Sequence, residues 1–182
     1  KGKKTIRIVT MNVGTIALSG RQEGARALDF NPGIDALTGE PNSNLGRLLE
    51  WMQKKNDDGT REHALFVLSS TAVPKRQREQ LRAIFRLEQY AYECDDTHGL
   101  RGLVKGEIAG VMICWDPLQL TPRQFGRRAG LPGTRRKEVI STGRAMYMEF
   151  MGIGSDGSRA AAFGVVGVYA PPRGTGRSGH AG

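Results

Sequence analysis

The sequence predicts an α/β layered domain, a mixed β-sheet with flanking helices. Three observations predict it. Stretches of period-2 alternation and short apolar runs recur along the chain. Two other stretches place apolar residues at helical spacing. The two kinds follow one another as β, α, β, α and then mostly β.

Residues 5–13 alternate and are β-branched, which predicts a strand. The Gly-, Pro- and Asn-containing stretch through residue 42 reads as loop. A helix is predicted from Ser43 or Asn44, because Leu45, Leu48, Leu49 and Met52 fall at i, i+3, i+4 and i+7, with Trp51 broadening the stripe. Lys54 and Lys55 suit the negative end of its dipole, and residues 56–59 (NDDG) turn the chain. Residues 64–68 (ALFVL) form a continuous apolar run, as in a strand buried on both faces. Pro74 stands where a second helix opens, with Leu81, Ile84, Phe85 and Glu88 on its stripe. Residues 90–94 and 109–115 read as two further strands, the second ended by Asp116 and Pro117. Within residues 144–150, Met146, Met148 and Phe150 share one strand face, with Ala145, Tyr147 and Glu149 on the other. Asp156 and Gly157 supply a hairpin turn, and residues 160–170 form an apolar strand stopped by Pro171 and Pro172.

A length of 182 residues is that of one domain. Two cysteines exclude a disulfide framework, and no apolar run approaches the length of a membrane-spanning helix, so no membrane partner is expected. No signal or transit segment is visible at the start. A chain that opens on Lys1 and closes on a Gly-rich stretch reads as a piece of a longer polypeptide. The net charge of +9 is unevenly spread: residues 1–120 hold 17 basic and 15 acidic side chains, residues 121–182 hold 10 and 3. Arg123, Arg127, Arg128, Arg135, Arg136 and Lys137 are therefore the candidate nucleic-acid contacts, since basic clusters bind phosphate backbones by releasing counterions. A solvated loop that keeps the chain soluble accounts for the same residues, and the aromatic interleaving of single-strand binders is missing.

Other motifs carry less. Gly174, Gly176 and Gly179 match the spacing of a dinucleotide fingerprint, but no helix follows to receive a pyrophosphate. Residues 95–98 (DDTH) have the donor types of a cation site and the composition of a turn, and the turn is expected. Cys94 and Cys114 lack the pairing of a zinc site and are expected to be buried thiols. His63, beside Glu62, receives no role.

One constellation goes further. Residues 6–14 (IRIVTMNVG) resemble the opening strand of the endonuclease/exonuclease/phosphatase family. Residues 64–68 fall where that family has its second strand, and residues 109–113 (AGVMI) resemble a later strand. Residues 143–150 (GRAMYMEF) followed by 164–171 (GVVGVYAP) resemble its later hairpin. The order is kept over residues 5–172, and the style is nearest the endonuclease domains encoded beside reverse transcriptases in non-LTR retroelements.

That resemblance implies the DNase I-like fold, two facing sheets between helices, of which this chain would supply about half. It implies a partial domain over residues 1–172, with loop insertions at about 15–42 and 121–137; the Gly-rich residues 173–182 read by composition as a flexible tail. The inner face of its sheet, including Phe163, Val165 and Val168, would need cover from another chain or a missing segment. In the family, Mg²⁺ held by a Glu at the end of the second strand assists phosphodiester hydrolysis. Asn12 and Tyr169 match the family's metal/phosphate-site Asn and phosphate-contacting Tyr. Ser70 stands at the position of the metal Glu, and the family's later Asp-x-Asn and Asp/His elements are not reached. The resemblance thus implies a degenerate or truncated Mg²⁺-dependent phosphodiesterase, inactive as given, with no cofactor of its own. A retroelement origin implies an intracellular, nuclear setting. The alternative is a non-catalytic basic structural or nucleic-acid-binding subunit of a larger complex such as a ribonucleoprotein.

Overall fold

The computed structural model describes residues 5–14, 16, 18, 33, 36–41, 43–71, 73, 77–95, 110–124, 136–141, 143–153 and 157–170. Its elements are β1 (Ile8–Asn12), α1 (Asn44–Gln53), β2 (Leu65–Ser69), α2 (Arg78–Leu87), β3 (Ala91–Cys94), β4 (Val111–Trp115), β5 (Leu120–Pro122), β6 (Lys137–Ser141), β7 (Ala145–Ile153) and β8 (Arg159–Val168).

Ser43 caps α1, its Oγ accepting from Gly46 N at 3.0 Å, which satisfies one of the amides the first turn leaves open. Leu45, Leu48, Leu49 and Met52 are buried as their spacing predicts. Trp51 is not part of that stripe. It is 38% exposed and stacks on His63 instead. α2 starts at Arg78, and Pro74 lies outside the described residues. Gln77, just before it, is buried and clamps the backbone of Leu18: its Oε1 accepts from Leu18 N (2.8 Å) and its Nε2 donates to Leu18 O (3.1 Å).

The first sheet runs β1-β2-β4-β3, with β1 parallel to β2 and the other pairs antiparallel. In the second, entirely antiparallel sheet β7 is central. β8 pairs along one side of it, and β5 and β6 share the other. Alternation sends each strand of the first sheet two ways. Phe66, Leu68, Tyr92, Met112 and Cys114 pack with Leu48, Met52, Leu81 and Phe85 of the helices. Leu65, Val67, Val111, Ile113 and Trp115 pack with Met146, Met148 and Phe150 of β7. The layers are therefore helices, sheet, sheet.

Two expectations change here. The chain supplies a second sheet of its own, and that sheet covers the inner face of the first at β2 and β4. Phe163 and Val165 are half-buried against that inner core, while Val168 lies on the opposite, outer face and is 59% exposed. The segment 121–137 is not loop at its ends either, since Thr121 and Pro122 belong to β5 and Lys137 opens β6. β5 is too short to show a period, and β6 (KEVIS) is too polar to stand out from the basic run before it. Cys94 and Cys114 are buried and form no disulfide, as expected. Of the DDTH run only Asp95 lies within the described residues.

Candidate functional site

β1, β2 and β3 end, and β4 begins, at one rim of the sandwich, because Asn12 is in register with Ser69, Ser69 with Val111, and Cys94 with Met112. A run of backbone hydrogen bonds carries this rim from the first sheet to the second. Val13 N donates to Ser69 O (3.1 Å), Thr71 N to Gly110 O (3.3 Å), Gly110 N to Gly143 O (3.0 Å) and Tyr169 N to Arg144 O (2.7 Å). The structure thus brings Asn12, Ser70 and Tyr169, far apart in sequence, to the same end of the fold.

Each is held firmly. The Asn12 side chain closes a turn, its Oδ1 accepting from Gly14 N at 3.2 Å. Ser70 is 4% exposed and left-handed, with φ at 60°, a conformation a side chain with Cβ adopts at a cost of about 1–2 kcal/mol. Such strain gathers at positions that the surrounding structure over-determines. Tyr169 is 7% exposed and joins the inner core. Its buried ring and the strand-end turn at Asn12 also serve the fold.

Among the described residues the donor set does not fit Mg²⁺. A hard cation is held best by carboxylate oxygens, and Ser70, where the resemblance expects a Glu, offers a neutral hydroxyl. The described carboxylate at this rim, Asp95, follows β3, three strands from β1 and therefore about 14 Å away at the usual strand spacing. Among the described residues no three His, Cys, Asp or Glu side chains group as a metal site.

The basic candidates do not form one patch. Arg123 sits 3.4 Å from Glu149, on the outer face of the second sheet. Lys137 is in register with the inward-facing Met148, and its Nζ donates to Cys94 O (2.7 Å) and pairs with Glu93 (2.9 Å), tying β6 to β3. Arg136 is exposed. Arg127, Arg128 and Arg135 lie outside the described residues.

Gly110, Gly143 and Arg144, which the sequence marks only as members of longer stretches, and Thr71, which it does not mark, also lie at the rim. The glycines standing just before apolar strands were the available signal: both have positive φ, where the chain turns into each strand. His63, to which the sequence assigns no role, stacks on Trp51 (5.8 Å) with Lys54 Nζ 4.6 Å over the same indole. Burial lowers the affinity of this imidazole for a proton; Glu62 opposes that shift, and Arg7 and Lys54 add to it.

No family model, curated protein or solved structure matches this chain.

Proposed function

We propose that this chain is an endonuclease/exonuclease/phosphatase-like domain of retroelement type whose phosphodiesterase centre is silent. The observation that carries the reading is the convergence of Asn12, Ser70 and Tyr169 on one rim. The two-sheet layering agrees with a DNase I-like sandwich, and Ser70 argues against metal-assisted cleavage, because a hydroxyl cannot neutralise the charge of a cation bound to phosphate.

A nicking assay on supercoiled DNA with Mg²⁺, with and without EDTA, tests it. The expected result is no EDTA-sensitive nicking. Nicking by the wild-type chain that EDTA abolishes would overturn the silent reading.

A second reading, non-catalytic binding of nucleic acid, is favoured by the excess of basic residues after position 121. Its described share is small, since Arg123 and Lys137 are engaged by Glu149 and Glu93. Titration of a labelled oligonucleotide at rising salt separates the two: a steep loss of affinity with salt supports binding, and no binding at low salt excludes it.

A further inference from the structure

Two separate features meet along one side of the sandwich. The first is the outer edge of β8. This strand pairs with β7, and no described strand pairs with its other side. Because Tyr169 N donates to Arg144 O, alternation turns the peptide groups of Phe163, Val165 and Gly167 toward β7. Those of Ala162, Gly164, Val166 and Val168 point away from it. Natural edges are blunted by lysine, proline, a bulge or a covering element. Residues 162–168 (AFGVVGV) contain no charge and no proline, and their register with β7 is unbroken.

The second feature is an overhang. β8 lies under β2 and β4, since a Cβ on Gly167 would meet Val111 and Val67. β1 therefore projects one strand beyond it. Val9 and Met11 face the helices, and Ile6 reaches the inner core. Ile8, Thr10 and Asn12, on the same side of β1 as Ile6, are exposed, Ile8 to 46%. Among the described residues the uncovered strip beside β8 is thus one strand wide, about 5 Å.

We propose that this strip receives a single extended peptide segment, which adds to the edge of β8 as a further strand of the second sheet and runs beneath β1. Main-chain bonds to Ala162, Gly164, Val166 and Val168 hold such a segment, and alternate apolar side chains cover Ile8, Phe163 and Val165. Charge favours an acidic residue at the end beside Arg159, the one charged side chain of β8. A second copy of this chain does not fit. With the two β8 strands paired, the β1 of each copy would project over the other's β8, where that copy's β2 and β4 already lie. This inference is independent of the silent-nuclease reading.

The test is amide hydrogen exchange on the whole chain, free and with an acetylated peptide of alternating Val and Thr that ends in Glu for antiparallel addition. In the free protein the amides of Ala162, Gly164, Val166 and Val168 exchange fast. The peptide slows them by at least about tenfold and leaves the already bonded Phe163, Val165 and Gly167 unchanged. Val166→Pro removes an N–H that points away from β7, so it abolishes peptide protection while the β7-facing amides stay slow. Should that variant unfold, the wild-type protection pattern decides. Three results overturn the proposal: no change on adding peptide, slow exchange of the four amides in the free monomer, or their protection through dimerisation seen by sedimentation.

Discussion

Gly167 of β8 lies so close to Val111 of β4 that a Cβ on the glycine would stand 2.5 Å from Val111 Cγ1 and 3.1 Å from Val67 Cγ1. Both neighbours are buried, Val111 completely and Val67 to 9% exposure, so neither side chain has solvent to retreat into. Glycine here sets the distance between the two sheets. Gly167→Ala is expected to push them apart and cost about 1–3 kcal/mol, the usual range for overpacking. Urea unfolding checks it, and an unchanged midpoint would contradict the close contact.

Ser70 gives the opposite sign. Its φ of 60° suits glycine, and glycine pays none of the steric penalty of Cβ there. Ser70→Gly is expected to stabilise the chain by up to about 1 kcal/mol. Ser70→Glu, which would put there the carboxylate that the resemblance expects, places a charge at a position 4% exposed and keeps the strain, so its melting temperature is expected to fall. A Ser70→Glu protein as stable as wild type would show the rim to be more open than described.

His63 makes stability depend on pH. Its imidazole is 11% exposed, stacks on Trp51 and meets Phe66 edge-on. Burial holds its folded-state pKa below the ordinary 6.5, so at pH values below 6.5 the unfolded chain binds a proton that the folded chain resists. Stability from this residue is whole above 6.5 and falls as the pH drops through that value, until the folded imidazole also protonates. Glu62 tempers the effect, and Arg7 and Lys54 enlarge it. Melting temperatures of wild type and His63→Phe, compared between pH 7.5 and 5.5, are expected to diverge, with the wild type losing more. Parallel curves would remove His63 as the source.

Much of the architecture was legible where a period was long enough to read. The nine residues of β7 alternate cleanly, and Met146, Met148 and Phe150 are fully buried. The helical stripes of α1 and α2 bury the expected leucines and aromatics. What the sequence could not show was pairing between distant segments. Nothing local announces that β5 and β6 share one side of β7, so a chain with its own second sheet read as one sheet lacking a partner. The rim was legible only in its individual residues. Asn12 and Tyr169 stood out by resemblance, but the hydrogen bonds that join them run through Gly110 and Gly143, whose role is a backbone direction rather than a side chain.

Lys137 and Arg136 are neighbours in a basic run, yet the fold gives them different work. Lys137 is 18% exposed, donates to Cys94 O and pairs with Glu93, which is itself 27% exposed, so its ammonium joins the edges of the two sheets. Removing it leaves a half-buried carboxylate and a carbonyl without that donor, at a cost of about 1–3 kcal/mol. Lys137→Met, which keeps the apolar stem, is therefore expected to lower stability and leave any oligonucleotide affinity nearly unchanged. Arg136 is exposed, and Arg136→Ala is expected to do the reverse: stability within about 0.5 kcal/mol of wild type, and weaker, less salt-sensitive binding. Paired urea melts and oligonucleotide titrations of the two variants decide it. If Lys137→Met abolished binding at full stability, the ammonium would belong to the nucleic-acid surface and not to the joint between β6 and β3.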